Sequence, residues 1–136
     1  MDIARPSDMI TKDFSRKEVA CRCGCGIDFV SLELMCKLQV ARDQYFAIFK
    51  EGLKLNRVCS CPKHNAEVGG KPNSTHVTTD KKVGEAVDIA CTDSHKRFIL
   101  LGILMAQFNR IEVGSVWLHA DVAKDVNHPQ QILFLK

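Results

Sequence analysis

The sequence predicts an α+β domain, on three observations. Only two long stretches carry apolar residues at helical spacing; short alternating stretches lie between and after them; and the two kinds do not interleave regularly enough for a series of parallel βαβ units. There is no internal repeat and no low-complexity tract. A length of 136 residues fits one domain spanning 1–136.

The elements follow in order. Ser15-Arg-Lys-Glu18 matches a capping box, so a short helix starts there. The run CRCGCG has two glycines in six residues and reads as a loop. Ser31 caps a longer helix, with Glu33 in its positive first turn and a stripe of Leu34, Leu38, Ala41, Tyr45 and Phe49; Gly52 is the expected stop. Leu53 to Val58 reads as a strand. Pro62 opens a helical turn through Val68, and residues 71–84 form a loop or hairpin. Glu85 to Ala90 is a strand with Val87 and Ile89 on one side and Ala86, Asp88 and Ala90 on the other. Thr92 or Asp93 caps a second long helix with a stripe of Phe98, Leu101, Met105 and Phe108. Val116 to Val122 is the final strand, with Trp117, His119 and Asp121 on its polar face.

Composition excludes several classes. An apolar fraction of 46% is too high for a disordered chain. The richest apolar run, Phe98 to Met105, falls well short of the roughly 18 residues that a membrane helix needs, so no membrane insertion is expected. A net charge of +3 spread along the chain does not point to nucleic acid and favours an anionic polymer only mildly. The start MDIARPSD has no apolar segment behind it, so no signal peptide is expected and synthesis in the cytoplasm is. Seven cysteines, an odd number without an export signal, do not make a closed disulfide framework. Cys36 and Cys91 read as buried small hydrophobes. The close pairs Cys23/Cys25 and Cys59/Cys61 are expected to be reduced thiols, with a second metal, a disulfide or a redox role as alternatives.

Two imidazoles, His76 and His119, and the carboxylate of Asp88 could form an open three-ligand zinc site whose fourth position admits water. Zn2+ there would polarise a carbonyl and acidify a water. Spacing alone makes this one triad among several that can be drawn.

The order of short motifs sharpens it. Cys21-Arg-Cys-Gly-Cys-Gly26, Cys61-Pro-Lys-His-Asn65, Val68-Gly-Gly70, Asn73-Ser-Thr-His76, Gly84-Glu-Ala-Val-Asp-Ile89, Asn109-Arg-Ile111 and Leu118-His-Ala-Asp121 follow one another from about Phe14 nearly to the end. In these the chain resembles the zinc D-alanyl-D-alanine carboxypeptidase and L-alanyl-D-glutamate endopeptidase family, which cleaves peptidoglycan peptides and includes many phage endolysins. Hedgehog domains, the vancomycin-resistance dipeptidase and lysostaphin are its more distant relatives. The resemblance implies a small antiparallel sheet with helices packed on one side. It also implies zinc held by His76, Asp88 and His119, a peptidoglycan stem-peptide substrate, and action at the cell wall as a phage or prophage product, as a monomer.

Three departures stand out. His76 and Asp88 are twelve positions apart, more than in most relatives, as if five residues near 78–82 lengthen the loop and reshape the cleft mouth. Ser60 stands where relatives carry an arginine that grips a substrate carboxylate or the reacting oxyanion, and Arg57 is the substitute, although period-two geometry puts it on the opposite face. The general base is Asp121, with Glu112 and Glu85 in reserve; Asp121 could equally orient His119. Ser74 and Trp117 complete the expected substrate-binding set. The chain is thus expected to be a zinc metallopeptidase of peptidoglycan stems, with a non-catalytic zinc-bearing wall-binding module as the alternative.

Overall fold

The computed structural model describes residues 8–136. The reading of the extreme N-terminus as free of an export segment falls, Asp8 apart, outside the described residues. Helix α1 spans Arg16–Val19, and its capping box is formed in both directions, Ser15 Oγ accepting from the Glu18 amide and the Glu18 carboxylate from the Ser15 amide. Helix α2, Leu32–Phe49, is capped by Ser31 and buries Leu34, Met35, Leu38, Ala41 and Tyr45. It ends on Lys50 in the left-handed region (φ 57°), two residues before the glycine expected to stop it. Strand β1 is Lys54–Arg57, helix α3 Pro62–Glu67 and strand β2 Ala86–Ala90. Helix α4, Ser94–Gln107, is capped by Asp93. Three strands close the chain: β3 Arg110–Val113, β4 Trp117–Asp121 and β5 Ile132–Leu135.

The strands form one five-stranded sheet in the order β1-β2-β4-β3-β5. It is an α+β arrangement, as expected, but the sheet is mixed rather than antiparallel. The β3–β5 pair is parallel because the segment after β4 loops back past the sheet before β5 joins the edge. Strands β3 and β5 are additions to the sequence reading, and β5 rather than β4 is the last strand. Both are four residues long, too short to display alternation.

One face of the sheet presents Leu55, Val87, Ile89, Ile111, Leu118 and Ala120 to a core completed by α2 and α4. The inward stripe of α4 is Leu100, Leu104 and Phe108, whereas Phe98 (76% exposed) and Met105 (55%) point outward. The run is apolar almost all round, so its composition does not fix which face turns inward. Cys36 is also exposed, Met35 having taken the inward position beside Leu34. Residues 71–84 form a loop and not a hairpin, tied to the body by isolated bridges Ser60–Val77 and Val30–Gly84.

Candidate metal centre

The opposite face of the sheet carries the polar groups, and register brings them into line. Arg57 pairs with Asp88, Asp88 with His119, His119 with Glu112, and Glu112 with Phe134. Directly opposed residues share a face, so one rung across five strands lays these side chains side by side. Arg57 reaches this rung through an irregularity. Leu55 pairs with Ile89 on the core side, the register then shifts over Asn56, and Arg57 emerges opposite Asp88. Strict alternation would have buried it with Leu55.

His76 arrives from the loop above the rung and is 3% exposed. Its Nδ1 donates to the Val58 carbonyl at 2.9 Å, and a carbonyl can only accept, so the proton sits on Nδ1 and Nε2 carries a lone pair. That Nε2 is buried, 3.2 Å from Asp88 Oδ2, and makes no hydrogen bond. Two acceptors facing each other in a dry place call for a cation between them. His119 supplies the third donor: its Nδ1 lies 2.8 Å from Asp88 Oδ1. The ligand atoms of His76, Asp88 and His119 all lie within 4.8 Å of one another. This donor set fits a catalytic zinc, which takes three protein ligands of the imidazole and carboxylate kind.

The other nitrogen of His119, Nε2, faces Asp121 Oδ2 at 2.8 Å. Asp121 is 1% exposed and fully engaged: Oδ1 accepts from Arg110 Nε at 2.7 Å and from the Ala123 amide at 3.2 Å, while Oδ2 also accepts from Thr75 Oγ1 at 3.5 Å. Glu112 differs. It borders the cleft next to His119, and its carboxylate makes no hydrogen bond or ion pair among the described residues. Glu85 forms an ion pair with Lys82 at 3.5 Å and does not line the cleft.

The site lies at the floor of a cleft of about 760 Å³, walled by Trp117, Ser74, Arg57, Phe134 and the Gly69–Gly70 turn. Trp117 is packed onto Gly114, where a Cβ would meet the indole ring at 2.1 Å. Arg57 is anchored by Nε to Ser60 Oγ and by Nη2 to Asn65 Oδ1, both at 2.7 Å. Ser60 is fully buried and supports Arg57 from outside the cleft. Of the lengthened loop at 78–82, residues 79–82 border a separate shallow depression with Phe29 and Val83, and none of the five lines the cleft. Several cleft residues escaped the sequence reading. Phe134 and Lys136 come with the unforeseen β5, and His128 lines the rim with 12% of its side chain exposed and Nδ1 2.7 Å from Asp125.

Electrostatics follow from this packing. Burial alone would lower the pKa of His119, but its bonds to Asp121 and Asp88 raise it to about 9. Burial would raise Asp88, yet the hydrogen bond and the charge of the His119 imidazolium hold it well below the usual carboxylate range; Asp121 is lowered in the same way by His119 and Arg110. In the metal-free chain the raised His119 contributes stability that is full below about pH 6.5 and lost as pH climbs through 9. The lowered carboxylates contribute above about pH 4 and lose that contribution as pH falls through their folded values. Thermal melts in chelator should therefore be highest between about pH 4 and 6.5 and decline towards pH 9. Zinc needs the Nδ1 lone pair of His119, so loading at neutral pH should release at least one proton per ion, readable with an indicator dye.

Two imidazoles and a carboxylate at the floor of an open cleft in an α+β fold make a candidate centre for a metal-dependent hydrolase. A family model described as Peptidase M15 matches residues 12–116, and the chain belongs to that family of zinc peptidases. The match includes His76 and Asp88 and stops just before β4, which carries His119. No curated protein matches the chain. No described helix is long and apolar enough to cross a membrane.

Proposed function

We propose that the chain is a zinc peptidase that hydrolyses peptide bonds of peptidoglycan stem peptides, with zinc held by His76 Nε2, the Asp88 carboxylate and His119 Nδ1. The observation that carries the reading is the buried, unpartnered Nε2 of His76 facing Asp88 and His119 in an open cleft. When bound, zinc supplies Lewis acidity, polarising the scissile carbonyl and acidifying an attacking water.

The residues divide the remaining work. Asp121, with every lone pair engaged, positions His119 and does not exchange protons. Glu112 is the base: its free carboxylate takes the proton from the attacking water and returns it to the leaving amine. Arg57, braced by Ser60 and Asn65, holds a substrate carboxylate or the carbonyl oxygen. Arg57 thereby stands in for the arginine that relatives carry at the position of Ser60. Trp117 and Ser74 line the path of the peptide. Cationic Arg57, Lys71 and Lys136 around a polar cleft suit stem peptides, which carry free carboxylates.

The test is digestion of purified peptidoglycan with mass analysis of the fragments, with and without chelator. New amine termini that vanish with chelator support the reading. Unchanged muropeptides from zinc-loaded protein overturn it and leave a wall-binding module. Glu112→Gln should retain zinc and lose about 10²- to 10⁴-fold in kcat, the range of a general base. Asp121→Asn should instead weaken zinc binding about 10- to 100-fold and recover rate in excess zinc.

A further inference from the structure

A second cluster of metal-ligating side chains lies outside the cleft. Cys21, Cys23, Cys25 and Cys61 bring four sulfurs within 4.8 Å of one another. Cys21 Sγ is 3.4 Å from Cys23 Sγ, and Cys23 Sγ is 3.7 Å from Cys61 Sγ. A Zn–S bond of about 2.3 Å puts the sulfurs of a tetrahedron about 3.8 Å apart, so these spacings suit an ion at the centre. We propose that Cys21, Cys23, Cys25 and Cys61 hold a second, structural zinc ion in a closed four-sulfur site.

The local chain is built for it. Single-residue gaps would ordinarily send successive side chains apart, but Gly24 (φ 87°) and Gly26 (φ 83°) take left-handed conformations that fold the loop back on itself. Two backbone amides point at sulfur: Cys61 N to Cys21 Sγ and His64 N to Cys61 Sγ, both at 3.4 Å. Such donors stabilise thiolates, the form that binds metal. The Arg22 guanidinium, between two of the ligands in sequence, clasps the Leu55, Asn56 and Lys17 carbonyls and pins the loop to β1. Cys59 stays outside the cluster, its thiol turned to the Phe29 carbonyl at 3.4 Å.

Four protein ligands leave no open position, which makes the site structural and not catalytic. Its place gives it a task. It would staple the 21–26 loop to the 58–61 segment, where the Val58 carbonyl fixes the ring of His76 and Ser60 braces Arg57. The inference stands apart from the peptidase reading, since neither ligand set shares a residue with the other.

The experiment counts zinc in the full chain, purified under reducing conditions, by elemental analysis. The wild type should hold about two ions per chain, and His76→Ala and the double variant C23S/C25S about one each. Both cysteines are exposed, so the double variant should keep its fold, checked by far-UV circular dichroism. Cobalt-loaded His76→Ala should show thiolate-to-cobalt charge-transfer absorption in the near ultraviolet, and adding C23S/C25S should remove it. A folded wild type holding one ion that His76→Ala abolishes would overturn the proposal. So would a cobalt spectrum without the thiolate band.

Discussion

His76→Ala should yield a folded chain that no longer takes up zinc in the cleft and releases no new amines from peptidoglycan. Among the described residues the imidazole carries the one buried side-chain nitrogen or oxygen with no hydrogen-bond partner, so its removal takes away a ligand and leaves Asp88 facing a void. Loss of a ligand should weaken zinc binding by more than the roughly 10- to 100-fold that follows loss of an outer hydrogen bond. Isothermal titration with zinc, beside amine release from purified walls, separates this variant from Asp121→Asn, which keeps all three ligands. Cleavage by His76→Ala at the wild-type rate would remove the metal site from the mechanism.

Arg110→Met should be the most destabilising single change among the cleft residues. The Arg110 and Asp121 side chains are 8% and 1% exposed, and the guanidinium also donates to the Pro129 carbonyl at 2.6 Å. Removing one partner of a buried pair costs about 3–5 kcal/mol because the other charge is left in a dry place. Against a total of roughly 5–15 kcal/mol, that lowers the melting temperature by about 10–20 °C in zinc-free buffer. With the guanidinium gone, His119 would be the one cation left on Asp121, so the His119 pKa should rise further, measurable by NMR titration of the imidazole.

Much of the fold was legible because caps and periodicity are local. Ser15, Ser31 and Asp93 each announced a helix start that the structure contains. What stayed hidden depended on partners distant in sequence. The segments at 110–113 and 132–135 become strands only by pairing with each other and with β4. The orientation of α4 was lost in a run apolar on every side. In the site, His76, Asp88 and His119 stood out through the motifs around them. The rung joining Asp88 and His119 to Arg57 and Glu112 did not, since register is a property of pairing. Arg57 seemed to face the wrong way because the irregularity at Asn56 leaves no mark in composition. The cysteines misled by proximity: 23/25 and 59/61 looked like natural pairs, whereas folding selects 61 and rejects 59.

The loop joining His76 to β2 and the strands carrying Asp88 and His119 differ in what they tolerate. Residues 79–82 turn outward, and trimming them should alter little. Within Ala86–Ala90 or Trp117–Asp121 the chain behaves as a reading frame. One residue gained or lost would swing every downstream side chain to the far surface, driving carboxylates into oil and leucines into water. Editing of this protein, natural or deliberate, is therefore free at the punctuation and forbidden inside the words.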